Sequence, residues 1–422
     1  MSNRTSSLFY KILVFAFLFM LVYPEHYIFL PFSTIRIVQI FGIAYSIFYF
    51  YKNTFRLAYQ KICYYGILIF IVGFLSAYVF NTGGDLDVAK RGILMILYIF
   101  SALWIAFLLK KSDSSFSLYT LIEWIVLITL FQAIITIIFF LVPTIADTYR
   151  SFVVADDSIL ESMANLSSFR MVGIGDVRYA TSAVQYGLVM WGVIALKHDR
   201  YGFWGSHPWY SNIIITLFTL VGIMSGRVFF VIILVTVPYI YLLNDRKLKR
   251  SIKDVFSIFI PTFIIGAIAF IYVFANNEEL VKWAFELFIN LGDSGQLESA
   301  STNQLKEMYI FPNNMKTWLI GDGKSIDVSG GFYMSSDVGY IRSIFYWGII
   351  GTLVYYSLQY KCYRIFTSYS NNKTLNIYVT FLLLWLYIYS FKDFYSIERY
   401  LVLFTVIQIL TIKNTRQFIK ND

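Results

Sequence analysis

Arginines that begin apolar segments are the residues of this sequence whose type and spacing best suit chemistry. Each lies in or beside the first turns of a helix predicted to run inward from the outer membrane face: Arg36, Arg91, Arg178, Arg227, Arg342 and Arg399. A cation at a helix N-terminus faces the positive end of the helix dipole, at a cost of a few tenths of a kcal/mol. An anion there reverses that sign, because the dipole, the free backbone N–H groups and the guanidinium all attract it. The pattern therefore predicts a site for phosphate, which guanidinium suits better than lysine does.

Two of these arginines have the surroundings expected of a ligand site. Arg227 lies between two apolar segments and follows Gly226. Arg342 lies a turn and a half into its predicted helix. Gly339, three residues earlier on the same face, is predicted to leave room for a bulky group.

An ordinary role is also open to each arginine, since its side chain can reach lipid headgroups or pair with a nearby acid. Arg36, near the membrane interface, and Arg399, beside Glu398, fit that role best. Arg170 and Arg178 lie in a loop with two glycines, and both roles are open to them.

The carboxylates carry a less specific signal than the arginines. Asp337 is predicted in the first turn of a helix, where capping and catalysis are both open to it. Asp322, between two glycines, is typical of a turn. Glu298 and Glu307 are loop residues without special spacing. The loop 276–336 contains no histidine, which excludes a histidine base there.

The elements that position these residues are predicted to be membrane helices. Hydrophobic residues make up 58% of the chain and charged residues 14%, against about 25% charged in soluble domains, which predicts an all-α polytopic membrane protein. About 20 apolar residues cross a bilayer. Twelve segments qualify: 9–24, 33–51, 62–80, 89–109, 118–142, 179–196, 211–225, 227–243, 254–275, 337–359, 374–391 and 397–412.

Lysine and arginine are concentrated in the short loops that become cytoplasmic when both termini are placed inside. The net charge of +9 is therefore an orientation signal and does not indicate nucleic-acid binding. This topology divides the chain into three parts. Residues 1–275 contain spans 1–9 and an outer loop at 143–178. Residues 276–336 form a large, partly helical outer loop that covers the site, and residues 337–422 contain spans 10–12. Within the large loop, Trp318–Gly323 is predicted as a strand-like run into a turn, and Ser301 with Gln304 as a helix start.

Motifs of soluble enzymes are absent from the sequence. It contains no phosphate-binding loop, no HExxH, no GxSxG and no DxD-like metal pair. Cys63 and Cys362 are too few for a disulfide framework. We therefore expect no metal and no cofactor.

Three short motifs carry a resemblance to a known family. They are Met224-Ser225-Gly226-Arg227 entering a span, Leu319-Ile320-Gly321-Asp322-Gly323, and Ser336-Asp337-Val338-Gly339-Tyr340-Ile341-Arg342 at the start of a glycine-containing span. Their order among the predicted spans and loops resembles the O-antigen polymerases (Wzy-type proteins) and, more distantly, the O-antigen ligases. In one departure, the loop 276–336 carries lysines but no arginine, although such polymerases often have arginines in both large outer loops.

The resemblance implies a metal-independent glycosyltransferase of GT-C-like architecture in the bacterial inner membrane, acting in lipopolysaccharide biosynthesis. Such an enzyme transfers a growing glycan from one undecaprenyl pyrophosphate to a new repeat unit on a second carrier at the periplasmic face. Implied partners are these lipid-linked glycans, the lipid bilayer and a chain-length regulator, with no cofactor. Implied roles are pyrophosphate binding by Arg170, Arg178, Arg227 and Arg342, activation of the acceptor hydroxyl by Asp337 or Glu298, and further contributions from Asp322, Tyr340 and Arg91.

Two alternatives remain open. An O-antigen ligase relies on a histidine in the late outer loop, and that histidine is missing here. A glycolipid flippase usually shows inverted repeats, broken helices and charges near the bilayer midplane, whereas the ionisable residues here cluster at the predicted outer edge.

Overall fold

The structure is a computed structural model of the 422-residue chain. It describes residues 2–52, 57–113, 116–154, 171–175, 179–276, 282, 285–286, 289–293, 295, 299–327, 331–393 and 398–418. Over these residues the chain is helical and has no β-strand, only two isolated bridges. The all-α prediction is therefore confirmed.

A helix is present at each of the twelve predicted segments, because each is a continuous apolar run. The longer helices are α1 (Ser2–Val22), α2 (Thr34–Lys52), α3 (Leu57–Phe74, continued by a π-helical turn Leu75–Val79), α4 (Lys90–Ser112), α5 (Leu118–Leu141), α7 (Ala180–His198), α9 (Pro208–Ser225), α10 (Val228–Leu243), α11 (Leu248–Asn276), α14 (Gly339–Tyr369), α15 (Lys373–Tyr389) and α16 (Glu398–Phe418). Short helices between them are α6 (Pro143–Arg150), α8 (Gly202–Ser206), α12 (Ala300–Glu307) and α13 (Met315–Ile320).

Five of these helices are long and apolar enough, among the described residues, to cross a membrane: Ala58–Val79, Lys90–Ser112, Leu118–Leu141, Pro208–Ser225 and Leu248–Ile268. Four shorter apolar helices accompany them: Ser7–Val22, Thr34–Phe50, Val228–Leu243 and Lys373–Tyr389. These helices are compatible with a multi-pass membrane protein. The number of twelve spans and the GT-C-like architecture stay predictions.

Two compact units make up the chain. The first contains Met1–Ile40, Phe107–Leu297 and Asn372–Tyr378. Its centre is α7, which is buried from Ser182 to Leu196 and packs against α5, α9 and α10. The indole of Trp191 donates to the hydroxyl of Thr236 at 2.8 Å, so a polar group in this apolar centre is satisfied.

The second unit contains Phe41–Ala106, Glu298–Asn371 and Val379–Asp422, with α14 at its centre. The backbone of α14 departs from helical geometry at Trp347 and at Gly348, whose φ is +67°. The short helix α13 packs at this break. A Cβ on Gly348 would lie 2.2 Å from the carbonyl carbon of Leu319, so only glycine allows this approach.

Contacts inside the first unit join loops that the sequence places on the same membrane side. On the predicted outer side, the N–H of Ile28 donates to the carbonyl of Phe152 at 2.9 Å. On the predicted inner side, the hydroxyl of Thr374 donates to the carboxylate of Asp199 at 2.6 Å. The predicted loop assignment is consistent within this unit, and which side faces the cytoplasm stays a prediction.

Two predictions for the large outer loop are wrong. Residues 315–320 form helix α13 instead of a strand-like run, because the Asn314 side chain accepts from the N–H of Thr317 and caps it. The preceding helix begins after Ser299, whose hydroxyl accepts from the N–H of Thr302, and so two residues before the predicted cap. In both helices a capping side chain, Asn314 or Ser299, fixes the residue at which the helix begins. The predicted segments 1–275, 276–336 and 337–422 follow membrane topology, whereas the two units follow internal contacts.

Candidate functional site

The predicted site residues fall into three groups. Arg342, Arg91, Asp337, Tyr340 and Asp322 belong to the second unit. Arg227 belongs to the first unit. Arg170, Arg178 and Glu298 lie outside the described residues. The described candidates therefore belong to two different units.

Arg342 lies in the first turn of α14 between an aromatic ring and a carboxylate. Its guanidinium carbon is 3.7 Å from the centroid of the Phe332 ring. Its Nη1 atom is 3.7 Å from Oδ1 of Asp393, which is an ion-pair distance but too long for a hydrogen bond. The buried Nε atom has no hydrogen-bond partner among the described residues. Arg342 therefore keeps N–H donors that an anion could take.

The start of α14 is held against the loop before α16. The N–H of Tyr340 donates to the carbonyl of Ser390 at 3.0 Å. A Cβ on Gly339 would lie 2.6 Å from the carbonyl oxygen of Asp393. The prediction that Gly339 leaves room for a bulky ligand is therefore wrong, because the backbone of Asp393 occupies that room. The same approach places the Asp393 carboxylate beside Arg342.

Asp337 lies two residues before α14 begins. No side chain caps this helix by a hydrogen bond, and the hydroxyl of Ser336 accepts from the N–H of Val338 at 3.3 Å. The capping role open to Asp337 is thus not seen. Burial raises the pKa of Asp337, and the negative charge of Asp393 raises it further, against the opposing charge of Arg342. A half-buried carboxyl beside a guanidinium can take up and release a proton.

Tyr340 has a packing role in the second unit. Its hydroxyl donates to the carbonyl of Tyr387 at 2.9 Å. Its ring lies against the rings of Tyr356 and Phe391, at centroid distances of 5.1 and 4.8 Å. These contacts fix the start of α14 and leave the hydroxyl occupied.

Arg91 takes part in a buried ion pair. Its Nη1 atom lies 3.4 Å from Oε1 of Glu398, and that oxygen also accepts from the hydroxyl of Tyr355. Glu398 is only 2% exposed, so this pair is shielded from water. Glu398 is next to Arg399 in the sequence, whereas in the structure its carboxylate forms an ion pair with Arg91.

Asp322 anchors a turn. Its two carboxylate oxygens accept from the hydroxyls of Thr317 at 2.6 Å and Tyr333 at 3.2 Å. Its neighbours Gly321 and Gly323 have φ values of +75° and +67°, which favour glycine. These two hydrogen bonds suit Asp322 to holding the loop.

The same loop is fastened to the short loop before α4. The N–H and the hydroxyl of Ser325 donate to the two carboxylate oxygens of Asp85, at 2.6 and 2.7 Å. The amide of Asn81 donates to the carbonyl of Gly321 at 2.9 Å. Both loops are predicted on the outer side. The described residues of the large loop that belong to the second unit, 299–327 and 331–336, are thus folded and have fixed contacts to the rest of that unit.

Arg227 immediately precedes α10 in the first unit. Its Nη2 atom lies 2.6 Å from Oε2 of Glu286, and its side chain is 11% exposed. A Cβ on Gly226 would approach Cα of Ala180 to 3.0 Å, so this turn packs tightly on the start of α7. The N–H of Met171 donates to the carbonyl of Met224 at 3.1 Å, which joins the outer loop to the same turn.

Sequence reasoning missed Asp393 and Glu286 beside Arg342 and Arg227, and it named Glu398 beside Arg399 but not as the partner of Arg91. Each is distant along the chain from its arginine, so no local spacing could reveal the pairs. The sequence offered one signal, namely that acids are rare in apolar surroundings unless they are paired.

Chemically, the described residues offer guanidinium groups at helix starts and a half-buried carboxyl. They contain no group of three or more histidine, cysteine, aspartate or glutamate residues that could hold a metal ion. Comparisons with protein-family models, with curated proteins and with solved structures found no match to this chain.

Proposed function

We propose that this protein is a metal-independent membrane glycosyltransferase that polymerises undecaprenyl-pyrophosphate-linked repeat units of O-antigen, or of a similar surface polysaccharide, at the periplasmic face. The observation that carries the proposal is the arrangement of Arg342, Asp337 and Asp393 at the start of α14. It combines an incompletely hydrogen-bonded guanidinium with a carboxyl whose raised pKa suits proton transfer. The resemblance of the short motifs to O-antigen polymerases supplies the substrate class.

The reaction needs a proton acceptor and a stabilised leaving group. The acceptor hydroxyl attacks the anomeric carbon of the growing glycan and forms the new glycosidic bond. The bond from that carbon to the pyrophosphate oxygen breaks, and undecaprenyl pyrophosphate leaves with the bonding electrons. We assign the hydroxyl proton to the Asp337 carboxylate and the leaving-group charge to Arg342. Glu298 stays the second candidate for the base.

Arg227, Arg170 and Arg178 are the further pyrophosphate ligands of this proposal. Arg227 is paired with Glu286 in the described structure, so binding must exchange that partner for phosphate. Such an exchange is favourable only if the phosphate offers more charge or better geometry than the carboxylate, which bidentate contact can provide.

The test uses the bacterium that carries the gene. Deletion should leave surface lipopolysaccharide with core plus one repeat, visible on a gel as the loss of the long-chain ladder. Core with no repeat would point to a ligase or a flippase and would contradict the proposal.

Complementation with Arg342→Ala or Arg227→Ala should not restore the ladder although the protein is in the membrane. Arg364→Ala is the matched control, since Arg364 is an exposed arginine near the opposite end of α14. A full ladder from either test variant would remove that residue from the site.

A further inference from the structure

A cavity of about 550 Å³ lies in the first unit, at the ends of its helices opposite to Arg227. It is lined by the end of α7, by the loop that follows, by the end of α10 and by the first turns of α11. The sequence predicts that all these ends face the cytoplasm. The cavity does not include any residue of the proposed glycosyltransferase site.

Cations outnumber acids around this cavity. Lys197, Arg200 and Arg250 line it against a single carboxylate, Asp254, so these four residues carry a formal charge of +2. The guanidinium groups of Arg200 and Arg250 have no ion-pair or hydrogen-bond partner among the described residues. Two unpaired guanidinium groups beside one cavity favour an anionic ligand.

The remaining polar groups leave the cavity short of negative charge. Asp254 already accepts from the amide of Asn244 at 2.7 Å, and Lys197 donates to the amide oxygen of Asn212 at 2.8 Å. The His198 ring is hydrogen-bonded to Asp199 at 2.9 Å. None of these partners neutralises the two arginines.

The backbone holds Arg200 at the cavity in a fixed conformation. Its φ is +52°, in the left-handed region that residues with a side chain rarely adopt. A Cβ on Gly205 would lie 2.0 Å from the Arg200 carbonyl carbon, so the next turn of chain packs directly on this residue. Strained positions of this kind persist where the surrounding structure enforces them, and ligand clamps are a common place for them.

The apolar part of the cavity lining is buried, whereas Arg200 and Arg250 are exposed. Ile194, Ile240 and Ile258, each from a different helix, form this part. Exposed cations together with buried apolar side chains fit a ligand with a phosphate at one end and hydrocarbon at the other.

We propose that this cavity is a binding site for a phosphate group, held by Arg200 and Arg250 at the predicted cytoplasmic end of the first unit. An anionic phospholipid and a soluble phosphate share this chemistry. The lipid has the additional apolar contact, and anionic headgroups attract lysine and arginine side chains near the membrane surface.

The experiment uses purified full-length protein, stripped of lipid in detergent. Native mass spectrometry after adding equal amounts of phosphatidylglycerol and phosphatidylcholine should show preferential retention of phosphatidylglycerol. The double variant Arg200→Ala/Arg250→Ala should lose it. A charge-assisted hydrogen bond raises binding affinity by about tenfold or more, so each substitution should weaken lipid retention about tenfold. Lys249→Ala is the control, because Lys249 is an exposed cation next to Arg250 that does not line the cavity.

A second measurement distinguishes the source of the phosphate. If inorganic phosphate raises the melting temperature of the wild type but not of the double variant, while phosphatidylglycerol is not preferred, the site takes a soluble phosphate. The proposal is overturned if the wild type prefers neither anionic ligand, or if the double variant retains the anion as the wild type does. The comparison of these ligands on the wild type tests the proposal even if the double variant does not fold.

Discussion

Arg342 is the residue on which the proposed chemistry depends most. It has a ring on one side, a carboxylate at ion-pair distance and a buried Nε without a partner among the described residues. The sequence located it through its place at a helix start. It could not reveal Asp393, because that contact depends on a loop about fifty residues away along the chain.

Replacement of Arg342 by lysine tests whether geometry matters as well as charge. Arg342→Lys keeps the positive charge but loses the planar pair of donors, so we expect chain extension to fall by about tenfold or more and not to disappear. The glycan length distribution on a gel measures this. Arg364→Lys, far along the same helix, should give wild-type length, and wild-type length from Arg342→Lys would show that charge alone suffices.

A pH profile tests Asp337 as the base. Its pKa is raised by burial and by Asp393, so the carboxyl ionises only at higher pH than usual. Transfer that needs the ionised form should therefore rise with pH through this raised pKa. Asp393→Asn removes the neighbouring negative charge and should lower the pKa, which moves the rise to lower pH. The pKa of Asp337 is therefore higher in the folded than in the unfolded protein. As the pH rises from the unfolded to the folded pKa, ionisation of Asp337 lowers the free energy of unfolding.

The measurement is the transfer rate of purified protein on a synthetic lipid-linked repeat. Asp87→Asn serves as the control, since Asp87 is an exposed acid that pairs with Lys90. An unchanged midpoint in Asp393→Asn would contradict the assignment of Asp337.

At the scale of elements, the break in α14 and the helix α13 depend on each other. Gly348 has a left-handed φ and lies against the backbone of Leu319. A glycine-rich turn at Gly321–Gly323 could be predicted from sequence, and the turn is present. Helix α13 could not be predicted from sequence, because its apolar residues gave a strand-like pattern. Its formation depends on the Asn314 cap and on packing against α14.

Gly348→Ala should destabilise the second unit strongly. The strain of a left-handed alanine costs about 1–3 kcal/mol, and overpacking against Leu319 adds about 1–3 kcal/mol. Gly266→Ala is the control, because a Cβ there would make only an ordinary contact at 3.5 Å with Leu220. Thermal unfolding in detergent measures both, and equal melting temperatures would show that α14 is not broken as described.

The link between Asp85 and Ser325 offers a second test at this scale. Asp85→Ala removes the acceptor for two donors and should cost about 1–3 kcal/mol, with faster proteolysis of the large loop. Asp87→Ala removes only an exposed ion pair, which is worth about 0–1 kcal/mol. If the two variants are digested at the same rate, the Asp85 contact does not hold the loop.

At the scale of the whole molecule, sequence reasoning predicted the helical character and the position of each long helix. Apolar runs determine these features locally, which is why composition and periodicity suffice. It also predicted loop sides that agree with the contacts inside the first unit. The division into two discontinuous units and the ion pairs that hold the arginines depend on long-range packing, which no single stretch encodes.

The proposed reaction requires that arginines at outward helix starts bind a lipid-linked pyrophosphate and support its polymerisation. Purified protein given a synthetic undecaprenyl-pyrophosphate-linked repeat unit tests this most directly, with products separated by length. We predict products of two or more repeats from the wild type and from Arg364→Ala, and none from Arg342→Ala. No extension by the wild type, or undiminished extension by Arg342→Ala, would contradict the account.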